Sequence, residues 1–288
     1  MEILLTGSNG QLGKEWQRYL RESNKPYSAF NSKEFDITDK DKIKVILEKE
    51  DPDVFINCAA YTAVDQAEEQ REQANLVNHR AVQNLAIACK ERGIKFVHFS
   101  TDYVFPGKAS DKDQFPKGYH EDSKPAPINY YGLTKWKGEE AIRESGCDYL
   151  IIRVSWLCGQ YGKNFLKTML RLARDRDKIK VVGDQWGSPT FAADVVRNTH
   201  VLLEKGFSGT YHITSRGITS WADFARFIFE CADKNIDVQA IPTSEYPTKA
   251  ERPKFSKLNT QKIESLDEIE LLHWKEGTKD LTEQLKNN

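Results

Sequence analysis

The stretch Glu2-Ile-Leu-Leu-Thr-Gly-Ser-Asn-Gly-Gln-Leu-Gly13 decides the fold. Its apolar run stops at a glycine, as a strand buried on both faces of a parallel sheet does. Gly7, Gly10 and Gly13 follow at three-residue spacing, and from Gln11 to about Glu22 an amphipathic segment sets Trp16 and Leu20 one turn apart. Strand, glycine turn and helix in that order make a mononucleotide-binding unit. The glycines permit a tight turn and close backbone approach, and the helix N-terminus stabilises a pyrophosphate. A plain glycine turn is the alternative; the flanking strand and helix favour the dinucleotide reading. Its candidate coenzyme contacts are Gly7, Asn9, Gly10, Gln11, Leu12 and Gly13.

Outward from that unit, residues 27–30 read as a second strand, followed by Asp36-Ile37 at the top edge of the sheet, where an acid can accept from an adenine amine or equally serve as a helix-entry residue. Thr38-x-x-Asp41 predicts a capping box opening the next helix. A third strand, 53–60, runs into the small residues Ala59 and Ala60 before Tyr61, letting a flat cofactor lie against the backbone. A long helical region carries Asn78, Val82, Leu85, Ala86 and Cys89 on one face, and a fourth strand, 95–100, empties into Thr101-Asp102-Tyr103. Strands alternating with helices predict an α/β fold: a doubly wound parallel sheet of Rossmann type, which binds ligands beyond the carboxyl ends of its strands. Further on, 149–153 and 209–213 read as strands, 164–174 and 194–203 as helices, and 181–190 as an irregular loop. Ser220 fits as a helix N-cap, and the charge-dense piece 171–180 reads as a solvated helix face. The expected division is 1–155 plus 191–215 as the dinucleotide-binding domain, and 156–190 plus 216–288 as a smaller substrate lobe.

Lys+Arg 42 against Asp+Glu 43 gives a net charge of −1 with no basic half, which points away from nucleic acid and anionic membranes as partners. The five cysteines are scattered and odd in number, the usage of a reducing compartment and not of a zinc site. Apolar runs fall far short of the ~20 residues of a membrane helix. With a strand starting at residue 2, no targeting peptide is expected, and the protein is expected to be cytoplasmic.

The chemistry is carried by Tyr131-Gly-Leu-Thr-Lys135. In a helix these two side chains share a face, with Cβ atoms roughly 5–6 Å apart. A phenol titrates near ~10 and is a poor proton donor at neutrality, whereas an ammonium one turn away favours the phenolate. The plain alternative is a surface lysine beside a half-buried tyrosine. His98 and His212 read as structural.

Together, the glycine turn, the Thr101 strand end and the Tyr131/Lys135 pair resemble the extended short-chain dehydrogenase/reductases. Four blocks, 6–13, Asn57-Cys-Ala-Ala-Tyr-Thr-Ala-Val-Asp65, Ser100-Thr-Asp-Tyr-Val-Phe105 and 131–135, resemble more narrowly the dTDP-4-dehydrorhamnose reductase family, and the match covers nearly the whole chain. The resemblance implies NAD(P)H-dependent reduction of the C4 ketone of dTDP-4-dehydro-6-deoxy-L-mannose to dTDP-L-rhamnose, for cell-surface polysaccharide. In it Tyr131 is the acid, Lys135 holds the nicotinamide ribose, and Thr101 bonds the developing oxyanion. The coenzyme would meet Asp36, Ile37, Ala59, Ala60, Tyr61 and Asn78; the nucleotide-sugar would meet Thr101, Asp102, Trp156 and Arg252. Trp156 is expected either to wall the hexose or to pack at the lobe junction. A strand end reading Phe30-Asn31-Ser32-Lys33 has no acid to repel a 2′-phosphate, so NADPH is expected with NADH still usable. Some family members bridge a homodimer with Mg²⁺. Glu15 suits that, but Ala192-Ala193 precede Asp194, which leaves Mg²⁺ in doubt. The competing functions are a same-fold epimerase or other nucleotide-sugar reductase, and a non-catalytic NADP-binding regulatory subunit. Asp102-Tyr103 stands where a 4,6-dehydratase would carry Asp-Glu.

Overall fold

The structure, a computed structural model, describes residues 1–286. Six parallel strands form the central sheet: β1 (Ile3–Thr6), β2 (Tyr27–Phe30), β3 (Val54–Asn57), β4 (Lys95–Thr101), β5 (Tyr149–Val154) and β6 (Gly209–His212). Their spatial order is β6-β5-β4-β3-β1-β2, so the direction of winding reverses between β1 and β3. A crevice opens at such a point beyond the carboxyl ends. This is the doubly wound sheet expected.

Helices cover both faces. On one, Leu12, Trp16 and Leu20 of α1 (Gln11–Glu22) repeat every four residues and pack with Val195, Val196 and Leu202 of a helix at Ala192–Glu204 against the sheet. On the other, α2 (Lys40–Glu50) and α3 (Ala81–Arg92) bury Ile43, Leu47, Val82 and Leu85 against Phe55, Phe96 and Ile151. Asp39, not Thr38, caps α2, accepting from the amides of Asp41 and Lys42. Thr38 is unavailable because its own amide and hydroxyl donate to Asp36.

A second cluster gathers Cys158, Leu166, Met169, Ile179, Phe224, Ile228 and Trp274 away from the sheet. Here the sequence reading needs correction. The helix at Phe165–Leu172 stops before most of the charged run, and Lys178–Val182 is a strand paired in parallel with Asp237–Ile241. Alternate residues Ile179 and Val181 turn inward while Lys178 and Lys180 turn out, so a half-buried strand hides inside a segment whose composition looks like a solvated helix. The stretch 181–190 also contains the short strands Trp186–Gly187 and Thr190–Phe191. Ser220 does cap its helix, accepting from the Asp223 amide at 3.1 Å.

Candidate active site

The site lies at the carboxyl rim of the sheet. Gly7 has φ +68°, and a Cβ there would stand 2.6 Å from the Ala59 nitrogen; one on Gly13 would stand 2.2 Å from the Gly7 carbonyl oxygen. Only bare backbone allows the glycine turn, the 59–62 turn and α1 to close on one another. The N-terminus of α1 starts at Gly10 with no side-chain cap and no acid in its first turn. Its free amides and partial positive charge are suited to an anion. Gln11 also ties this turn to the second cluster, donating to the Leu157 carbonyl and accepting from Asn164. Asn9 and Gly10 are exposed, Leu12 is buried, and Ile37 packs under the sheet edge while Asp36 closes its own turn with Thr38.

Tyr131 and Lys135 do share one helix, α4 (Tyr130–Ser145), capped by Asn129, which accepts from the Gly132 amide. Gly132 lets α4 approach the rim, since a Cβ there would lie 2.2 Å from the Tyr103 carbonyl oxygen. The Tyr131 ring meets Tyr103 edge-on, with centroids 5.8 Å apart. Burial, then the charge of Asp102, pushes its phenol above the ordinary value, with a hydrogen bond to Thr101 working the other way. Thr101 donates to Asp102 at 2.8 Å and accepts from the Tyr103 amide. Asp102 is itself raised to about 7 by burial, against the hydrogen bond from Thr101.

Lys135 is bonded inward, its amine 2.6 Å from the Phe99 carbonyl and 2.9 Å from His98 Nε2. It is 1% exposed, and burial lowers it to about 8, opposed by Glu139 one turn on. Asn78 is fully buried in a π-helical turn, Leu76–Arg80; its amide clamps both backbone groups of Tyr61 and donates to Thr134. Such turns are frequent at functional sites. Asn78 thus fixes the 59–62 turn to α4.

Beside this rim opens a cavity of about 960 Å³ lined by Tyr103, Phe165, Trp221, Tyr246, Arg176, Lys178, Lys180 and Arg252, among others. Three of these cations come from the run read as a solvated face. Trp221 faces the cavity, while Trp156 lies stacked on it at a centroid separation of 3.5 Å. Trp156 takes a left-handed backbone, φ +45°, rare for a bulky side chain. Arg252 pairs with Asp65 at 2.9 Å and with the Ala250 carbonyl, and Asp65 also accepts the Ala250 amide. Asp65 closes the 57–65 block, so that block builds the cavity wall as well as the turn.

Glu15 is held by Arg18, and Asp194 by Arg197 at 2.9 Å. Among the described residues no cluster of three His, Cys, Asp or Glu could hold a metal, and no helix is long and apolar enough to cross a membrane. Trp221, Phe165, Tyr103 and Asp65 escaped the sequence reading, since nothing in their spacing brings them to one wall.

The family described as RmlD substrate binding domain matches residues 1–287. The chain is 41% identical to the dTDP-4-dehydrorhamnose reductase of Salmonella typhimurium, over 97% of this chain and 96% of that protein. It is 35% identical to a dTDP-4-keto-6-deoxy-D-glucose reductase of Streptomyces niveus, over 94% and 93%. A crystal structure of dTDP-4-dehydrorhamnose reductase from Bacillus anthracis in complex with NADP superposes with a TM-score of 0.93 at 39% identity, over 98% of this chain and 99% of that one. The chain therefore belongs to the dTDP-4-dehydrorhamnose reductase family of oxidoreductases.

Proposed function

We propose that this protein uses NADPH to reduce the C4 ketone of dTDP-4-dehydro-6-deoxy-L-mannose, giving dTDP-L-rhamnose for a cell-surface polysaccharide. The observation that carries this reading is a cavity walled by both aromatic and cationic side chains, one of which, Tyr103, meets the half-buried Tyr131 ring edge-on and sits next to Thr101. Aromatic faces suit a base or a hexose, and the cations suit a diphosphate.

The residues present fit the coenzyme. The uncapped N-terminus of α1 would take its pyrophosphate, and Gly7 and Gly13 clear the backbone for it. At the end of β2, Glu34 turns its carboxylate back to the Asn31 amide, leaving Ser32 and Lys33 exposed to meet a 2′-phosphate. Ala59, Ala60 and Tyr61 would line the ring, and Lys135 would hold the adjoining ribose. Bound there, the coenzyme supplies the hydride. Tyr131, kept protonated at neutral pH by burial and Asp102, donates its proton to the developing alkoxide, and Thr101 turns its hydroxyl from Asp102 to that oxygen. Arg252 exchanges Asp65 for the diphosphate, with Trp221 against the sugar and Trp156 backing it.

In this reading residues 1–155 and 191–215 form the coenzyme domain, and 156–190 with 216–288 the substrate lobe. The enzyme works in the cytoplasm, where its five free cysteines stay reduced. A second reading is favoured by the Streptomyces niveus relative: the same reduction on a 4-keto-6-deoxy-D-glucose nucleotide. The test is oxidation of NADPH and NADH by purified protein against a panel of dTDP- and UDP-linked 4-keto sugars. Turnover with the L-manno ketone and not the others supports the first reading. Turnover without net coenzyme consumption would make the protein an epimerase, and none with any sugar would make it a binding subunit.

A further inference from the structure

A line of buried polar groups crosses the sheet beneath the rim and ends at Lys135, and the mechanism above uses none of its other members. Thr6 at the end of β1 donates to Asn57 Oδ1 at 2.9 Å, across the point where the winding reverses. The Ala59 amide donates to the same oxygen at 3.1 Å. Asn57 Nδ2 lies 3.2 Å from His98 Nδ1, and His98 Nε2 lies 2.9 Å from the Lys135 amine, which also donates to the Phe99 carbonyl. Thr6, Asn57, His98 and Lys135 are all buried.

The directions of these bonds follow from one that cannot reverse. A backbone N–H only donates, so the Asn57 atom facing Ala59 is its oxygen, and its NH₂ faces His98. His98 Nδ1 therefore accepts and carries no proton. A neutral imidazole then has its proton on Nε2, aimed at Lys135. An ammonium has three donors and no lone pair, so the bond at 2.9 Å is satisfied when Lys135 is the neutral amine. Charging Lys135 requires His98 to move its proton to Nδ1, which opposes the Asn57 NH₂ and breaks the line.

We propose that His98 is a positioning residue that poises Lys135 between amine and ammonium, and that Asn57 sets this balance by fixing the histidine tautomer. Because Asn57 also holds the Ala59 amide, the proton load of Lys135 is linked to the position of the 59–62 turn. The proposal rests on the reading of Tyr131 and Lys135 as the acid and its partner. In the proposed mechanism Lys135 holds the coenzyme ribose as a hydrogen-bond donor, so the pH at which it loses its charge sets the alkaline limit of turnover.

The other charges around Lys135 do not replace this control. Glu139, on the same helix, is paired with Arg143 and with Arg153 of β5. Asp102, from the turn after β4, acts on Tyr131. In the π-helical turn packed on α4, His79 and Arg80 lie near Lys137 and Glu144, and Asn78 is neutral. Burial holds His98 well below its ordinary value, in keeping with a neutral ring.

The test reads the histidine rings directly, by nitrogen-15 NMR of the full protein labelled at histidine, without coenzyme or sugar, from pH 6 to 9. His98 is assigned by loss of its signals in His98→Gln. The expected result is the Nε2–H tautomer in the wild type. In Asn57→Asp the carboxylate accepts from Thr6, Ala59 and His98 alike, so the ring should switch to Nδ1–H. Lys135 should then be charged more readily, and the alkaline limb of kcat for ketone reduction should move up by about one pH unit. An Nδ1–H tautomer or an imidazolium in the wild type at pH 7 overturns the proposal and leaves the reductase reading standing. So does a switched ring in Asn57→Asp with the limb unmoved. The wild-type spectrum decides the tautomer even where the variant fails to fold or the sugar is not a substrate.

Discussion

Lys135, inside the sheet, and Arg252, on the cavity wall, are two basic side chains held in opposite ways. Lys135 is 1% exposed and bound by a histidine and a carbonyl inside the sheet, in a wall where Asn78, Glu139 and Arg153 are also fully bonded. Arg252 has a side chain 18% exposed, held by one carboxylate and one carbonyl at the ends of two loops. The side chains of the first region are fixed in place before any ligand binds, as preorganised polar groups are. The second offers a partner that a ligand anion can replace. The first is a rigid wall and the second an exchangeable one.

The largest effect should come from the rigid wall. Glu139→Ala leaves Arg153 buried without its carboxylate and should cost about 3–5 kcal/mol of stability by urea unfolding. The same group predicts a pH dependence. Burial alone would raise Glu139, but Arg153, Arg143 and Ser100 bring it below the ordinary 4.5. Its contribution is therefore complete above about 4.5 and is lost as pH falls through the lowered folded value, so acid should destabilise the wild type more steeply than Glu139→Gln. Equal slopes would show that this wall is not the rigid one.

Next, Tyr131→Phe should lower kcat by two or more orders of magnitude, roughly the scale of a lost general acid. The packing on Tyr103 remains, so coenzyme affinity and melting temperature should change little. A rate near that of the wild type would remove the assignment.

In the exchangeable wall the expected effects fall on KM. Arg252→Ala should raise KM for the nucleotide-sugar about tenfold, on the order of one charge-assisted hydrogen bond, with NADPH binding unchanged. Trp221→Ala should act in the same direction, whereas Trp156→Ala, which removes the backing ring, should act mainly on melting temperature. If Trp156→Ala moved KM and Trp221→Ala did not, the stacked pair would be facing the substrate the other way round.

The smallest effect belongs to the coenzyme rim. Lys33→Ala should narrow the preference for NADPH over NADH by a few-fold in kcat/KM, because one flexible cation without a guanidinium fork contributes modestly. A wild-type preference for NADH, untouched by the substitution, would mean that the 31–34 turn does not read the 2′ position.

Much of this protein was legible before any coordinates. Strand, glycine turn, strand-end threonine and Tyr-x-x-x-Lys are local patterns, set by hydrophobic period, by steric room and by the 3.6-residue turn, and all of them appear at the expected positions. The 178–182 strand was hidden because its charges follow an alternation that only a partner strand, 237–241, makes meaningful. Where the Lys135 amine points, which of two tryptophans faces the cavity, and that Asp65 holds Arg252 across 187 positions of chain are likewise absent from any local pattern. They depend on which groups meet once the sheet has closed, and a buried cation or ring takes the partner that satisfies it there, whatever its neighbours in sequence suggest.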